Sequence, residues 1–133
     1  HEYLAVTDRE KLFDKALAET AVEIALKRHA GYISQQFDAV MGIVPGTPVG
    51  RDLRRVKTII AVGGIFASLP EEEVRDIIVQ ALAEPGISLL PAANVDIVID
   101  RQYLLYAIGR LADRRAAAAL AFAKTHFGFM NCD

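Results

Sequence analysis

The strongest constraint on this chain is a short β-branched run that stops at two consecutive glycines, in Lys57-Thr-Ile-Ile-Ala-Val-Gly63-Gly64-Ile65. The run predicts a strand over residues 57–62, and glycines at its carboxyl end let a ligand or another backbone approach closely. In open α/β sheets, ligands bind at the carboxyl ends of the strands. Gly63 and Gly64 therefore indicate either a ligand-binding strand end or an ordinary strand-to-helix turn that needs a positive φ.

The composition indicates a single globular domain, residues 1–133, because 53% of the residues are apolar and can form a core. The net charge of −2 gives no electrostatic reason to expect nucleic acid or an anionic membrane as partner. No apolar run approaches the ~20 residues of a membrane span. Cys132 is the only cysteine, which excludes an intramolecular disulfide and favours a reducing cytoplasm. The chain opens at His1 directly into helix-forming sequence, as expected for a fragment of a longer protein.

The segment Thr7-Asp-Arg-Glu10 has the pattern of a capping box and predicts a first helix that runs to about Ala30. Gly31 is a natural stop for that helix. Apolar residues recur in the helix at the spacing of an amphipathic face: Leu12, Phe13, Leu17, Ala21, Ile24 and Ala25.

Residues 32–56 are predicted to be irregular, because Ile43–Gly50 contains two prolines and two glycines. Long loops of this kind are often functional, or else belong to structure that has been removed. The basic residues that follow could contact phosphate or could form a solvated surface, and the second interpretation is favoured because no helix N-terminus precedes Lys57. These residues are Arg51, Arg54, Arg55 and Lys57.

The remaining elements complete an α/β fold. Ser68-Leu-Pro-Glu71 predicts a second capping box and a helix to about Ala83, ended by Pro85-Gly86. A short strand is predicted at 95–99, after which Asp100 caps a last helix that runs to about Lys124. The predicted architecture is three main helices packed on a small sheet. The core face of the middle helix is predicted to be Val74, Ile77, Ile78, Ala81 and Leu82.

No catalytic or metal-binding constellation is predicted. His29 and His126 have no carboxylate or cysteine at metal-ligand spacing, so a structural role is favoured for both. No nucleophile elbow or Cys-His arrangement is present.

Several segments together resemble one family, the MutL-type (GlmL-like) accessory proteins of adenosylcobalamin-dependent glutamate mutase and related aminomutases. These are distinct from the mismatch-repair proteins of the same name. The family is similar to the actin, sugar kinase and Hsp70 ATPases, so the resemblance implies the C-terminal part of an actin-like ATPase lobe. The segments are Lys27-Arg-His-Ala-Gly31, Gly46-Thr-Pro-Val-Gly-Arg-Asp52, Thr58-Ile-Ile-Ala-Val-Gly-Gly64 and Asp100-Arg-Gln-Tyr-Leu-Leu-Tyr-Ala-Ile-Gly-Arg-Leu111.

The resemblance implies a role in ATP-driven reactivation of a cobalamin-dependent mutase by exchange of damaged cofactor. The implied bound molecule is ATP or ADP together with magnesium. This chain supplies no side chains that coordinate the magnesium, because neither Asp-Gly-x-Thr-type phosphate loop occurs in it. The isolated chain is therefore predicted not to be catalytic and to carry at most the adenosine half of a site. The alternative is an interaction module without nucleotide binding, whose segment 32–56 docks the mutase or a partner lobe.

By this resemblance, seven residues are the candidate counterparts of nucleotide contacts in the superfamily. Gly63 and Gly64, followed by Ile65, match the adenosine motif, and Gly109 matches a small residue beside the nucleotide in the last helix. The adenine-contacting side chains of the first helix are matched by Glu23, Lys27 and Arg28.

The same resemblance predicts that the chain forms a homodimer. The strand at 57–62 is internal in the superfamily, so its missing neighbours would leave an unblunted edge that recruits a second copy. The two-fold dimer would pair like with like or swap the first helix. In the alternative, segment 32–56 folds back over that edge and the chain is a monomer.

Overall fold

The computed structural model describes residues 5–128 as a mixed α/β arrangement with three long helices, which confirms the predicted class. The strands form two separate two-stranded sheets rather than one small sheet. The elements are α1 (Asp8–His29), β1 (Tyr32–Asp38), β2 (Gly42–Val49), β3 (Thr58–Ala61), α2 (Gly64–Ser68), α3 (Glu71–Ala83), β4 (Asp96–Ile99) and α4 (Leu104–Phe127).

Helix α1 begins with the predicted capping box. The hydroxyl of Thr7 accepts a hydrogen bond from the Glu10 N–H (3.3 Å), and the Glu10 carboxylate accepts one from the Thr7 N–H (2.9 Å). The helix ends at His29, one residue before the predicted end, where the N–H of Ala30 donates to the carbonyl of Leu26. The N-terminal end therefore follows from local sequence. Gly31 does not end the helix in a left-handed conformation, and its Cβ would collide with the backbone of Gly50 and Arg51.

The face of α1 that packs on α3 is not the predicted apolar stripe. Ala18 is buried, and Leu26 packs against the main core cluster. Lys15 Nζ forms an ion pair with Glu73 of α3 at 3.0 Å on the same side. The small Ala18 side chain allows the helices to approach closely, and the larger apolar residues are left on the outer side. Those exposed residues are Leu12, Phe13, Leu17, Ala21, Ile24 and Ala25.

The segment predicted to be irregular is largely a β-hairpin, so that prediction was wrong. Strands β1 and β2 pair antiparallel, and Asp38 starts the turn by accepting hydrogen bonds from the Val40 and Met41 N–H groups, both at 2.8 Å. The hairpin tolerates Pro45 and Pro48 because a strand of a two-stranded sheet has one edge that needs no N–H donor.

The two ends of the hairpin meet at glycines. Gly31 donates its N–H to the Arg51 carbonyl (2.6 Å), and a Cβ on Gly50 would lie 3.0 Å from the Cα of Gly31. The hairpin is joined to the rest of the chain by the Ile33 N–H, which donates to the carbonyl of Ile87 at 2.8 Å.

Strands β3 and β4 pair in parallel, from Thr58 opposite Asp96 to Ala61 opposite Ile99, close to the predicted bounds. Within residues 5–128 no strand pairs with the other edge of β3. Helix α3 covers this sheet with the predicted face, and Val74, Ile77, Ile78, Ala81 and Leu82 are all buried. The main core cluster comprises Ala61, Val74, Ile78, Leu82, Leu90 and Ile97.

Two local predictions fail between α2 and the end of α4. The second capping box does not form, because the Ser68 hydroxyl donates to the Ile65 carbonyl (2.9 Å) at the end of α2, and Pro70 occupies the N-cap of α3. Helix α4 continues to Phe127 rather than Lys124 and is kinked at Arg115, whose φ and ψ are −144° and 67°. No helix within residues 5–128 is both long and apolar enough to cross a bilayer.

Candidate functional site

The strand end at Gly63 has a backbone conformation that only glycine adopts readily. Its φ is +132° and its ψ is 159°, and the residue forms the N-cap of α2. For a residue with a Cβ, this region costs about 1–3 kcal/mol. The turn interpretation made from the sequence therefore accounts for the glycine at position 63.

Gly64 is different, because its conformation does not require glycine. It is the first residue of α2 and is absent from the positive-φ residues of the described chain. A Cβ placed on Gly64 would lie 3.5 Å from the hydroxyl oxygen of Tyr103, an ordinary van der Waals contact. The fold thus leaves the glycine at 64 unexplained, while Ile65 behind it is half-buried in α2.

At the end of β4 lies Asp100, whose side chain is fully buried. Its two carboxylate oxygens accept hydrogen bonds from the N–H groups of Leu104 (2.9 Å) and Leu105 (2.8 Å). Its own N–H donates to the carbonyl of Ala61 in β3 at 2.9 Å. The predicted capping role is confirmed, although the formal N-cap position of α4 is occupied by Tyr103.

Tyr103 was missed by the sequence reasoning. It is the one non-glycine residue with positive φ in the described part of the chain (φ 55°, ψ 31°), a left-handed conformation that costs about 1–2 kcal/mol. Its side chain is half exposed beside Gly64. The Arg101 guanidinium joins this loop to the end of α2 by donating to the carbonyls of Ala67 (2.9 Å) and Leu69 (3.0 Å).

Two of the three predicted side chains of α1 line a groove between α1 and α3 that contains no residue of the strand end. Glu23 and Lys27 form an ion pair at 2.8 Å and line an open groove of about 360 Å³ between α1 and α3. Arg28 is exposed on the same helix. The structure does not bring Gly63, Gly64 or Ile65 into that groove, whose lining is Glu19, Thr20, Glu23, Lys27, Ile77, Gln80, Ala81, Ala83 and Glu84.

The predicted small residue of the last helix, Gly109, lies in the second turn of α4. It is exposed, and a Cβ on it would meet nothing within 4 Å. Glycine inside an exposed helix costs about 0.5–1 kcal/mol relative to alanine. As at Gly64, no contact in the described chain accounts for the missing side chain.

Two of the four predicted basic residues, Arg51 and Arg54, form hydrogen bonds within the protein. Arg54 makes two hydrogen bonds to the Asp52 carboxylate, at 2.9 and 2.7 Å, and these lower the pKa of Asp52 to about 2. Arg51 Nη1 lies 2.9 Å from Nε2 of His29. These contacts favour the structural interpretation of His29 and of Arg54. Within residues 5–128 no group of three His, Cys, Asp or Glu side chains is placed to hold a metal ion, and Cys132 lies outside the described residues.

The parallel strand pair of this mixed α/β fold ends, at the carboxyl edge of the sheet, in the Gly63 turn and the helix-capping Asp100. The sequence matches the family described as "MutL protein" over residues 1–127, and the chain belongs to that family. This confirms the resemblance noted from the sequence. The chain is 30% identical over 109 residues to Protein MutL of Clostridium tetanomorphum. The alignment covers 80% of this chain and 22% of that relative, so the chain spans about a fifth of the length of the relative it matches. No solved structure matches it.

Proposed function

We propose that this chain is part of an ATPase-like MutL protein that reactivates an adenosylcobalamin-dependent glutamate mutase, and that it supplies the adenosine-contacting half of the nucleotide site. Membership of the MutL family supports the association with the mutase. The nucleotide role is supported by the strand end, where the carboxyl ends of β3 and β4 meet the N-terminus of α4.

The observation that carries the nucleotide proposal is the glycine at position 64. Its backbone does not demand glycine and its neighbour leaves room for a Cβ, so a ligand lying against the backbone would account for the missing side chain. Tyr103, half exposed beside it, offers an aromatic face on which a base can stack, an interaction worth about 1–3 kcal/mol.

In this proposal α1 approaches the ligand from the second side. Leu26 and Ala30 of α1 pack against the same core cluster as Phe66 of α2. Helix α1 and the helix that follows the strand end are therefore packed on one core. Glu23 and Lys27 line the groove between α1 and α3 and Arg28 is exposed, so the proposed contacts of these three residues with the base and ribose rest on the resemblance alone. Gly109 leaves the early turns of α4 open for the same ligand. Magnesium would arrive with the phosphates and take its ligands from outside this chain.

The test is the thermal unfolding midpoint of the full-length parent and of this chain during titration with ATP and ADP, since a ligand that binds only the folded state raises the midpoint. In the parent, Gly64→Val should weaken ATP binding at least about tenfold, or ~1.4 kcal/mol. The control is Ala117→Val, which also introduces a β-branched valine, at an exposed position of α4. Unchanged affinity in a normally folded Gly64→Val variant would refute the adenosine assignment.

A second candidate function is a docking module without nucleotide binding. It is favoured by the tip of the hairpin, where four large apolar side chains are strongly exposed: Phe37 (81%), Val40 (94%), Met41 (74%) and Ile43 (71%). Val40→Ser with Met41→Ser should then abolish binding to the mutase in a pull-down of the full-length protein, and millimolar ATP should leave the midpoint unchanged. A midpoint that rises with ATP, together with intact mutase binding by the double variant, would exclude the module.

A further inference from the structure

The loop between β4 and α4 contacts the short helix α2 at both of its ends. At the C-terminal end of α2, Nη1 of Arg101 donates hydrogen bonds to the carbonyls of Ala67 (2.9 Å) and Leu69 (3.0 Å). At the N-terminal end, the Tyr103 hydroxyl lies 3.5 Å from the position that a Cβ on Gly64 would take. The loop therefore runs beside α2 from one end of the helix to the other.

The two contacts differ in how firmly they hold the loop. The approach of Tyr103 to Gly64 is a van der Waals contact, which is individually weak. The hydrogen bonds of Arg101 are charge-assisted and directional, and they go to carbonyls at a helix C-terminus, where a cationic donor is favourable. One nitrogen serves both carbonyls, because Nη1 carries two hydrogens. Arg101 is therefore the contact that holds this loop against α2.

The start of the loop is fixed on its other side. Asp100 donates its N–H to the carbonyl of Ala61 in β3 at 2.9 Å and accepts the Leu104 N–H of α4 at 2.9 Å. Tyr103 follows with a left-handed backbone (φ 55°), a conformation that persists in a non-glycine residue only where its surroundings impose it. Asp100 and Arg101 together impose it, because the first fixes the loop to the sheet and α4, and the second fixes it to α2.

We infer that Arg101 is a positioning residue for the nucleotide site, an inference that rests on the proposed function. It holds the ring of Tyr103 beside Gly64, so that one base can contact both the ring and the glycine backbone. Ordering a side chain at the moment of binding weakens affinity, and a side chain that is already held avoids that loss. The role of Arg101 is therefore to keep the aromatic side of the site in place before the nucleotide arrives.

Arg101 acts through Tyr103 and does not itself touch the nucleotide in this inference. Its guanidinium is bonded at the end of α2 opposite Gly64. The helix has five residues, so its two ends are about 7.5 Å apart at 1.5 Å per residue. The effect of Arg101 on affinity should therefore depend on the ring of Tyr103 being present.

The experiment is calorimetric titration of the full-length protein with ATP. Arg101→Met removes the donors and should weaken binding about fivefold, with an unchanged circular dichroism spectrum, because one side chain must then be ordered on binding. Arg101→Lys, which keeps several donors on one nitrogen, should recover most of the loss. The matched control is Arg75→Met, which removes two hydrogen bonds from an exposed arginine of α3 to Glu71 (3.1 and 2.8 Å) and should bind ATP as the wild type does.

A double-mutant cycle separates positioning from a direct contact. In a Tyr103→Gly background, Arg101→Met should weaken ATP binding by less than about twofold further, because the ring that it positions is gone. Losses that multiply would show that Arg101 acts independently of Tyr103, which overturns the inference.

Gly64→Val, titrated in parallel, keeps this inference separate from the proposed function. If Gly64→Val weakens ATP binding and Arg101→Met does not, the positioning role is overturned and the adenosine assignment stands. An equal loss in Arg75→Met also overturns the positioning role, because the effect would then be general. A wild-type protein that binds no ATP overturns both.

Discussion

The carboxylate of Asp100 accepts a hydrogen bond from the N–H of Leu104 at 2.9 Å, from a position with no exposure to solvent. This contact fixes the start of α4 to the end of β4, and through the Asp100 N–H to the carbonyl of Ala61. A buried carboxylate at a helix N-terminus is stabilised by the helix dipole as well as by its two donors. The loop that carries Tyr103 is held by this cap.

We expect Asp100→Ala to lower the free energy of unfolding by about 2 kcal/mol, because two buried N–H groups lose their acceptor. Urea denaturation followed by circular dichroism measures the effect. The control is Asp96→Ala on the exposed side of β4, for which we expect a change within about 0.5 kcal/mol. Equal effects of the two variants would contradict the capping role.

The two neighbouring glycines should respond differently to alanine. Gly63→Ala places a Cβ at φ +132° and should cost about 1–3 kcal/mol of unfolding free energy. Gly64→Ala should change stability by less than about 0.5 kcal/mol, because its Cβ meets only the Tyr103 hydroxyl at an ordinary distance. Chemical denaturation of both variants provides the comparison, and a large loss at Gly64 would show that the fold itself requires that glycine.

Tyr103 offers a test in which stability and binding should move in opposite directions. Tyr103→Gly should raise the unfolding free energy by about 1 kcal/mol, because glycine adopts φ 55° without strain. The same variant should weaken ATP binding to the full-length protein at least about tenfold, since the stacking surface is lost. Tyr103→Phe, which keeps the ring, should bind as the wild type does. If Tyr103→Gly bound ATP normally, the ring would have no part in the site.

The Asp52–Arg54 pair predicts an acidic titration. Hydrogen bonds from Arg54 lower the pKa of Asp52 from 3.8 to about 2. The pair therefore stabilises the folded state at any pH above the ordinary pKa of 3.8, and this contribution is lost as the pH falls toward 2. Both side chains are exposed, so the effect on stability is small. NMR titration of the Asp52 carboxyl carbon should give a midpoint near 2, and Arg54→Ala should return it toward 3.8. An unmoved midpoint in that variant would assign the shift to another cause.

We expect no ATP hydrolysis by this chain alone. Phosphoryl transfer depends on groups that stabilise charge on the phosphates, and the phosphate loops that supply them are absent from its sequence. The measurement is phosphate release by repurified protein against a buffer blank. Turnover that persists through repurification and disappears in Gly64→Val would contradict the expectation.

The features that sequence predicted well are those set by neighbouring residues. The capping box of α1 uses two side chains three residues apart, and the buried face of α3 follows from helical periodicity alone. Periodicity could not predict which side of α1 is buried, because that depends on the packing of α1 against α3. In the structure Ala18 is buried and Leu17 is exposed. The hairpin was missed because Pro45 argued against a strand, although a two-stranded sheet tolerates it.

The candidate site could be predicted only in part, because some of its features depend on tertiary packing and not on neighbouring residues. Gly63 and Gly64 stand in the sequence as a pair, and only the backbone angles separate a glycine needed by the turn from one that is not. Tyr103 gave no sequence signal, because a left-handed tyrosine is imposed by the loop between Asp100 and α4. Glu23 and Lys27 lie on the predicted helix, but the groove that they line faces α3, and spacing along one helix cannot predict that packing.

Because Gly31 and Gly50 are in close contact, the hairpin between them begins and ends at nearly the same point of the fold. The backbone returns after β2 to within van der Waals distance of the point where it left, so a change of length at the tip of the hairpin leaves Gly31 and Gly50 adjacent and the Ile33–Ile87 hydrogen bond in place. The core contributed by β3, α3 and β4 contains none of these residues. Variation at the tip of the hairpin can therefore change the exposed apolar surface of the protein without changing the architecture that holds Gly64 and Tyr103 together.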